Sequence, residues 1–281
     1  LHWAWPWNDR QGRLSPLKLT TFLASFLPAI WLTDQVYEQN FGLFPLAGMT
    51  YWSGVWSMAF LLLALCVTPA AKVFRWPRLT ILRRMVGVTA LVYTIAHIII
   101  YFALRMWDFV SIGNEMITRL SLIIATLSTI GIVALGVTSF DEAIKRMGSD
   151  GWNRLHNTVY VLTLMALIHY ILSPGIYPSQ YWMSGMFLWL MLWRWLDRQG
   201  RGTSIAMLFL LAIGTTLFTA LFEAFWINIY QDFEFSSTLS NNFTLTFGIS
   251  AAWKNLAVGL AVVVLALFAQ ARRPRHLPSS A

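Results

Sequence analysis

The chain has 281 residues, 57% of them hydrophobic and only 11% charged, with a net charge of +8. A water-soluble domain carries about 25% charged residues, so an ordinary soluble fold is excluded. The basic residues recur between long apolar runs and are not pooled in one patch, which excludes nucleic acid as the reason for the charge and reads as membrane topology. The single cysteine, Cys66, lies in an apolar run, so there is no intrachain disulfide and no cysteine metal cluster. It reads as a small buried hydrophobe.

In chain order, Leu1 to Lys18 is expected to lie at the membrane interface. It carries Trp3, Trp5 and Trp7 among Asp9, Arg10, Arg13 and Lys18, and it lacks the pattern of a cleavable signal peptide. A bilayer core of about 30 Å takes about 20 helical residues to cross. On that measure eight spans are expected: Leu19–Val36, Tyr51–Pro69, Arg84–Leu104, Arg119–Phe140, Trp152–Leu172, Tyr181–Trp195, Thr203–Ile227 and Phe243–Ala269. Gly, Pro and charged clusters place the breaks at Pro69, Arg75–Arg84, Gly148–Asp150, Pro174–Pro178 and Gln199–Gly202. The fold class is therefore all-α, a polytopic membrane helix bundle.

Seventeen of the twenty Lys and Arg fall on one side of these spans; only Arg105, Arg119 and Lys254 fall on the other. Positive residues stay inside, so both termini are expected in the cytoplasm.

Three of the five histidines lie inside apolar segments: His97 in the third span, His156 and His169 in the fifth. Ionisable groups in a membrane are costly and tend to be functional, and imidazoles are the usual axial ligands of haem iron. His97 lies thirteen residues beyond Arg84, and His169 thirteen beyond His156, about 20 Å of helix in each case. His97 and His169 thus share a depth near the outer face and can clamp one iron. His156 shares its depth with Arg83 and Arg84 on the cytoplasmic side. Either one haem sits in the outer position alone, or a second, inner haem uses His156 with a weak or absent second ligand. On one straight helix His156 and His169 would point about 140° apart. The arginines suit haem propionates or a cofactor phosphate, or else they simply anchor the cytoplasmic face. A membrane histidine can equally hydrogen-bond a neighbouring helix; matched depth is what favours haem for His97 and His169. Tyr93, Tyr101, Tyr160 and Tyr170 read as packing or interface residues.

With these residues in view, the chain resembles the haem-binding membrane subunit of the periplasmic methionine-sulfoxide reductase system, the MsrQ (YedZ) family, within the wider ferric-reductase-like transmembrane group. The resemblance rests on Arg75–Leu79 (RWPRL), Arg83–Gly87 (RRMVG), Tyr93, His97, Tyr101, Trp152–His156 (WNRLH), Val159, Tyr160, His169 and Tyr170, with Asp9–Arg13 (DRQGR) and Phe26–Trp31 (FLPAIW) upstream. It covers about residues 5–197. It implies one or two haem b groups on His97, His156 and His169 in a bacterial inner membrane. Electrons would come from the quinone pool or a cytoplasmic flavin reductase and go to a periplasmic molybdenum-cofactor methionine-sulfoxide reductase. Flavin mononucleotide (FMN) is linked to the family, with Arg83 and Arg84 as candidate contacts. The family core has six spans, so residues 1–197 are expected to form the haem-binding core and 198–281 an addition of two spans. In that addition, Glu223 reads as solvated near the outer interface or as a quinone or proton site.

The chain is expected to transfer electrons without catalysing the final reaction. No Gly-rich dinucleotide fingerprint and no soluble domain for NADPH is present, which argues against a self-contained oxidase. The rivals are a ferric-reductase-type subunit with another acceptor, and a transporter or structural membrane protein with packing histidines.

Overall fold

The chain folds as an all-α polytopic bundle, and the computed structural model describes residues 5–9, 11–173, 178–246 and 248–272. His2, His276, Trp3, Arg10 and the Pro174 end of one expected break lie outside these residues. Seven stretches are long and apolar enough to cross a membrane: Pro16–Tyr37, Pro45–Val73, Pro77–Leu104, Leu120–Val137, Asp141–Leu172, Ile205–Gln231 and Ala251–Ala271. The remaining expected span, the sixth, is a helix of 21 residues, Pro178–Arg198. Its tryptophans, Gln180, Tyr181 and Ser184 keep it out of that set. Contacts divide the chain into two units, 1–65 with 81–175, and 66–80 with 176–281.

The first unit begins with α1 (Pro16–Ala24) and α2 (Leu27–Tyr37). They form one span broken at Pro28, with a side chain inserted in the gap. In a continuous helix the Ala29 N–H would bond the Ser25 carbonyl. Here the Tyr93 hydroxyl stands between them, accepting from Ala29 N–H at 3.1 Å and donating to Ser25 O at 2.9 Å. A polar group inserted in the i to i−4 ladder is a recognised cause of a kink, and it satisfies both backbone groups. Tyr93 also stacks on Phe60, with ring centroids 5.0 Å apart.

Helix α3 (Pro45–Val73) runs from the first unit into the second. Pro69 does not end it, contrary to the expected break. One missing N–H is tolerated, and the helix closes only at Arg75, whose φ of 53° lets Trp76 N–H reach the Ala71 carbonyl at 2.9 Å. A 3₁₀ turn at Pro77–Leu82 leads to α4 (Arg83–Leu104). A short helix, α5 (Phe109–Thr118), lies between the third and fourth expected spans, its N-terminus capped by Asp108 accepting from Ser111 N–H.

Helix α6 (Leu120–Val137) is the hub, close to α4, α5 and α8 (Val159–Leu172). Between them α7 (Asp141–Asn157) is broken at Gly148, whose φ is 72° and ψ 162°. The break falls within the expected Gly148–Asp150 loop. Ser128 donates to the Leu162 carbonyl at 2.9 Å, and Ser57 pairs with Thr94 at 2.7 Å. Such small polar side chains hold membrane helices together where the hydrophobic effect cannot.

In the second unit, α9 (Pro178–Arg198), α10 (Ile205–Gln231) and α12 (Ala251–Ala271) pack on one another, with the short α11 (Phe235–Asn241) beside α10. Tyr181, Gly185, Trp189, Trp193 and Leu196 put one face of α9 in protein, which explains a helix less apolar than its neighbours. The buried Trp193 donates its indole N–H to the Gly202 carbonyl at 2.8 Å. Leu210, Leu217, Leu221, Phe225, Leu265 and Phe268 are exposed, as a surface facing lipid requires.

Candidate functional site

The three interior histidines all belong to the first unit. His97, on α4, reaches α3: its Nδ1 lies 2.8 Å from the Thr50 carbonyl and 3.3 Å from the Ser53 hydroxyl. His169, on α8, reaches α6, with Nδ1 3.0 Å from the Ser121 carbonyl. A carbonyl oxygen can only accept, so both Nδ1 atoms carry the proton. Both Nε2 atoms therefore present a lone pair, and neither makes a hydrogen bond among the described residues. Both residues are half-buried.

The two rings are close enough for their charges to interact. Their helices nevertheless do not run tightly against each other; the close backbone neighbour of both is α6. Gly54 on α3 gives the His97 ring its place. A Cβ built there would lie 3.0 Å from Cε1 and 3.1 Å from Nδ1 of the imidazole. Beside His169, the Tyr170 hydroxyl meets that of Tyr51 at 3.1 Å, tying α8 to α3.

His156 stands apart from this pair. It stacks on Trp152 at 3.8 Å, its Nδ1 donates to the Trp152 carbonyl at 3.2 Å, and its Nε2 lies 3.4 Å from the Ser139 hydroxyl. Arg83 lies within electrostatic range of His156 and is exposed. Arg84 binds Asp141 at 2.6 Å and lies over the Phe140 ring. The two arginines, adjacent in sequence, thus differ in commitment.

At the other end of α4, one turn beyond His97, Tyr101 donates to Glu115 at 2.9 Å. Arg105 and Arg119 also bind that carboxylate, Arg119 at 3.3 Å. Burial works to raise the Glu115 carboxyl, but the Tyr101 hydrogen bond and the two guanidinium groups outweigh it and hold the carboxyl below its ordinary value. This cluster joins α4, α5 and the start of α6, two residues before the carbonyl that holds His169. Thr50, Ser53, Gly54 and Ser121 were not foreseen from sequence. Two of them act through backbone carbonyls, which carry no side-chain signature.

Chemically, two neutral imidazoles with fixed tautomers and unbonded Nε2 atoms are a pair of groups that could ligate a metal. Among the described residues no cluster of three or more His, Cys, Asp or Glu offers a metal site of another kind.

The family model described as the ferric reductase like transmembrane component matches residues 53–167. The chain is 32% identical over 160 residues to the protein-methionine-sulfoxide reductase heme-binding subunit MsrQ of Azospira oryzae, covering 57% of this chain and 69% of the relative. It is also 32% identical to MsrQ of Caulobacter vibrioides, over 65% of this chain and 87% of the relative. To MsrQ of Pectobacterium carotovorum it is again 32% identical, over 63% and 91%. No solved structure matches. Likeness at this level, over most of the length of each relative, means that the chain belongs to the MsrQ family.

Proposed function

We propose that this chain binds haem b between His97 and His169 and carries electrons across the bacterial inner membrane. The observation that carries this reading is the matched pair of Nδ1–carbonyl hydrogen bonds, His97 to Thr50 and His169 to Ser121. The residues fit the group. Metal-ligating imidazoles commonly donate the other ring N–H to a carbonyl, which fixes the tautomer and raises ligand basicity. Gly54 leaves the space the His97 ring needs, and the names of the curated relatives support a haem-binding role.

Bound haem supplies a one-electron iron couple whose potential depends on axial ligands, hydrogen bonds and burial. Thr50 and Ser121 hold the two rings by hydrogen bonds from opposite helices. At the His156 end, Arg83 is the better placed arginine for a propionate or for the phosphate of FMN, because Arg84 already serves Asp141. His156 is a candidate ligand for a second, inner haem.

In the full reading, both termini are cytoplasmic, residues 1–197 form the haem-binding core, and 198–281 are an addition. The electron donor is the quinone pool or a cytoplasmic flavin reductase. The acceptor is a periplasmic molybdenum-cofactor methionine-sulfoxide reductase, a partnership that the names of the relatives support. The ferric-reductase-like match favours one second reading, the same carrier with a different acceptor.

The test is a reduced-minus-oxidised absorption spectrum of detergent-purified protein with haem counted per chain. A b-type signal, reoxidised by the sulfoxide reductase and methionine sulfoxide together, is expected. Colourless protein from haem-supplied cells would overturn the reading; haem without reoxidation would leave the second reading.

A further inference from the structure

The second unit holds a polar file that electron transfer does not use. Thr215, Thr219 and Glu223 recur every four residues on α10, so they share one face. Thr219 is fully buried and Thr215 nearly so. From α9 come Gln180 and Tyr181, from α12 Asn255, and from the segment after α11 Asn242, all almost entirely buried. Glu223 is half-buried, with its Oε2 enclosed, so it is solvated only in part.

The Thr219 hydroxyl and the amide nitrogens of Asn242 and Asn255 are committed donors, while amide and carboxylate oxygens of the file are open. The Thr219 hydroxyl donates to the Thr215 carbonyl at 2.8 Å, so its oxygen accepts from the Asn255 amide nitrogen. That fixes the Asn255 amide with Oδ1 pointing elsewhere. Asn242 donates its amide nitrogen to the Thr238 carbonyl at 3.4 Å, which again leaves Oδ1. Gln180 Oε1, Tyr181 Oη, Glu223 Oε2, Asn242 Oδ1 and Asn255 Oδ1 are buried without a hydrogen-bond partner among the described residues. Native proteins rarely leave such atoms unsatisfied, and a group of them calls for a bound ion or water.

Glu223 lies against Asn242 and Tyr181 against Gln180, each pair within side-chain hydrogen-bonding reach, and Tyr181 and Lys254 are within electrostatic range of Glu223. Lys254 does not fill the role of counter-ion. It is exposed, and the ion pairs found among the described residues do not include it. Further along, α10 and α12 close against each other: a Cβ on Gly259 would lie 2.6 Å from that of Ala212. The polar file therefore ends inside the unit.

We propose that Glu223, Asn242, Gln180 and Tyr181 form a site for one dehydrated alkali-metal cation, sodium or potassium. The open atoms of these four residues are oxygens, which suit hard cations; the open nitrogens of this unit belong to Trp182, Trp189, Gln231 and Trp253. One carboxylate matches a single positive charge. No thiolate or imidazole stands among them to favour a softer metal.

The full-length protein, purified in detergent, is melted in NaCl, KCl and choline chloride at equal ionic strength. Sodium or potassium should raise the melting temperature saturably over choline. Glu223→Gln should abolish the response, and Asn242→Ala should weaken the apparent affinity at least tenfold. Asp34→Asn, on the exposed face of α2, should keep it. If Glu223→Gln does not fold, Asn242→Ala decides. Equal melting in all three salts, or a response to pH alone, overturns the proposal in favour of water or a proton. Haem content is read in the same samples. A cation response in haem-free protein would remove the proposed function and leave this inference standing.

Discussion

Gly54 on α3 packs directly against the imidazole of His97 on α4, with room for a hydrogen and none for a methyl group. Ring position is therefore set by an absent side chain as much as by the Thr50 carbonyl. Gly54→Ala should push the ring by a few tenths of an ångström and strain its Nδ1 bond. Loss of support around a metal ligand typically costs about 10–100-fold in metal affinity. Haem retention through gel filtration and a shifted reduction potential measure the effect; wild-type retention and potential would show that the cradle does not matter.

His97 and His169 should behave as one unit. On the proposed haem site each alanine variant would remove one of two ligands to the same iron, so both should lose the same haem signal, by absorption and by electron paramagnetic resonance. His156→Ala should leave that signal in place, because Trp152 and Ser139 hold His156 apart from the pair. If His156→Ala and His97→Ala erase the same band, the separation drawn between them is wrong.

Arg83 and Arg84 should differ when replaced. Arg84 forms an exposed ion pair with Asp141, and exposed pairs contribute about 0–1 kcal/mol. Arg84→Gln should then change melting by no more than a few degrees and leave cofactor content unchanged. Arg83→Gln should lower FMN or inner-haem occupancy while sparing the His97–His169 signal. Equal cofactor loss in both variants would count against the assignment.

Depth alone pairs His97 with His169 in the sequence, because it needs only the rise of a helix per residue. What holds each ring was not legible. Every residue has a carbonyl, and nothing in the letters marks Thr50 or Ser121 as the acceptor. The break between α1 and α2 was legible only in part: Pro28 marks it, while Tyr93, whose hydroxyl fills it, lies 64 residues from Ala29. Pro69 misled because a proline forfeits one hydrogen bond and α3 has many others. At Glu223 nearness to a helix end suggests water, and the residue is half-buried; the buried Asn242 beside it comes from a segment that no helical period predicts.

Gly185 tests the packing of the second unit. A Cβ there would lie 1.9 Å from the Asn255 amide nitrogen and 2.1 Å from Thr219 Oγ1. Both are buried and bonded to each other. Neither can retreat without breaking that bond, so Gly185→Ala should destabilise by about 1–3 kcal/mol, the usual range for overpacking. Thermal melting in detergent measures it, and an unchanged melting temperature would mean that α9 can move aside.

Acid should loosen the tie between α4 and α5. Glu115 is held below its ordinary value by Tyr101, Arg105 and Arg119 against the opposing effect of burial. A carboxyl with a depressed folded-state value binds fewer protons folded than unfolded. Its contribution is fully present above the unfolded value and is lost as pH falls through the folded one. For a glutamate that window opens below about pH 4.3. Between pH 6 and pH 3 the wild type should lose more stability than Glu115→Gln, which lacks the titrating group and starts lower. Because Arg119 stands two residues before Ser121, the same acid step should broaden the His169 ligand signal in the wild type. Parallel melting curves for the two proteins across that range would show that the cluster holds no acid-sensitive stability.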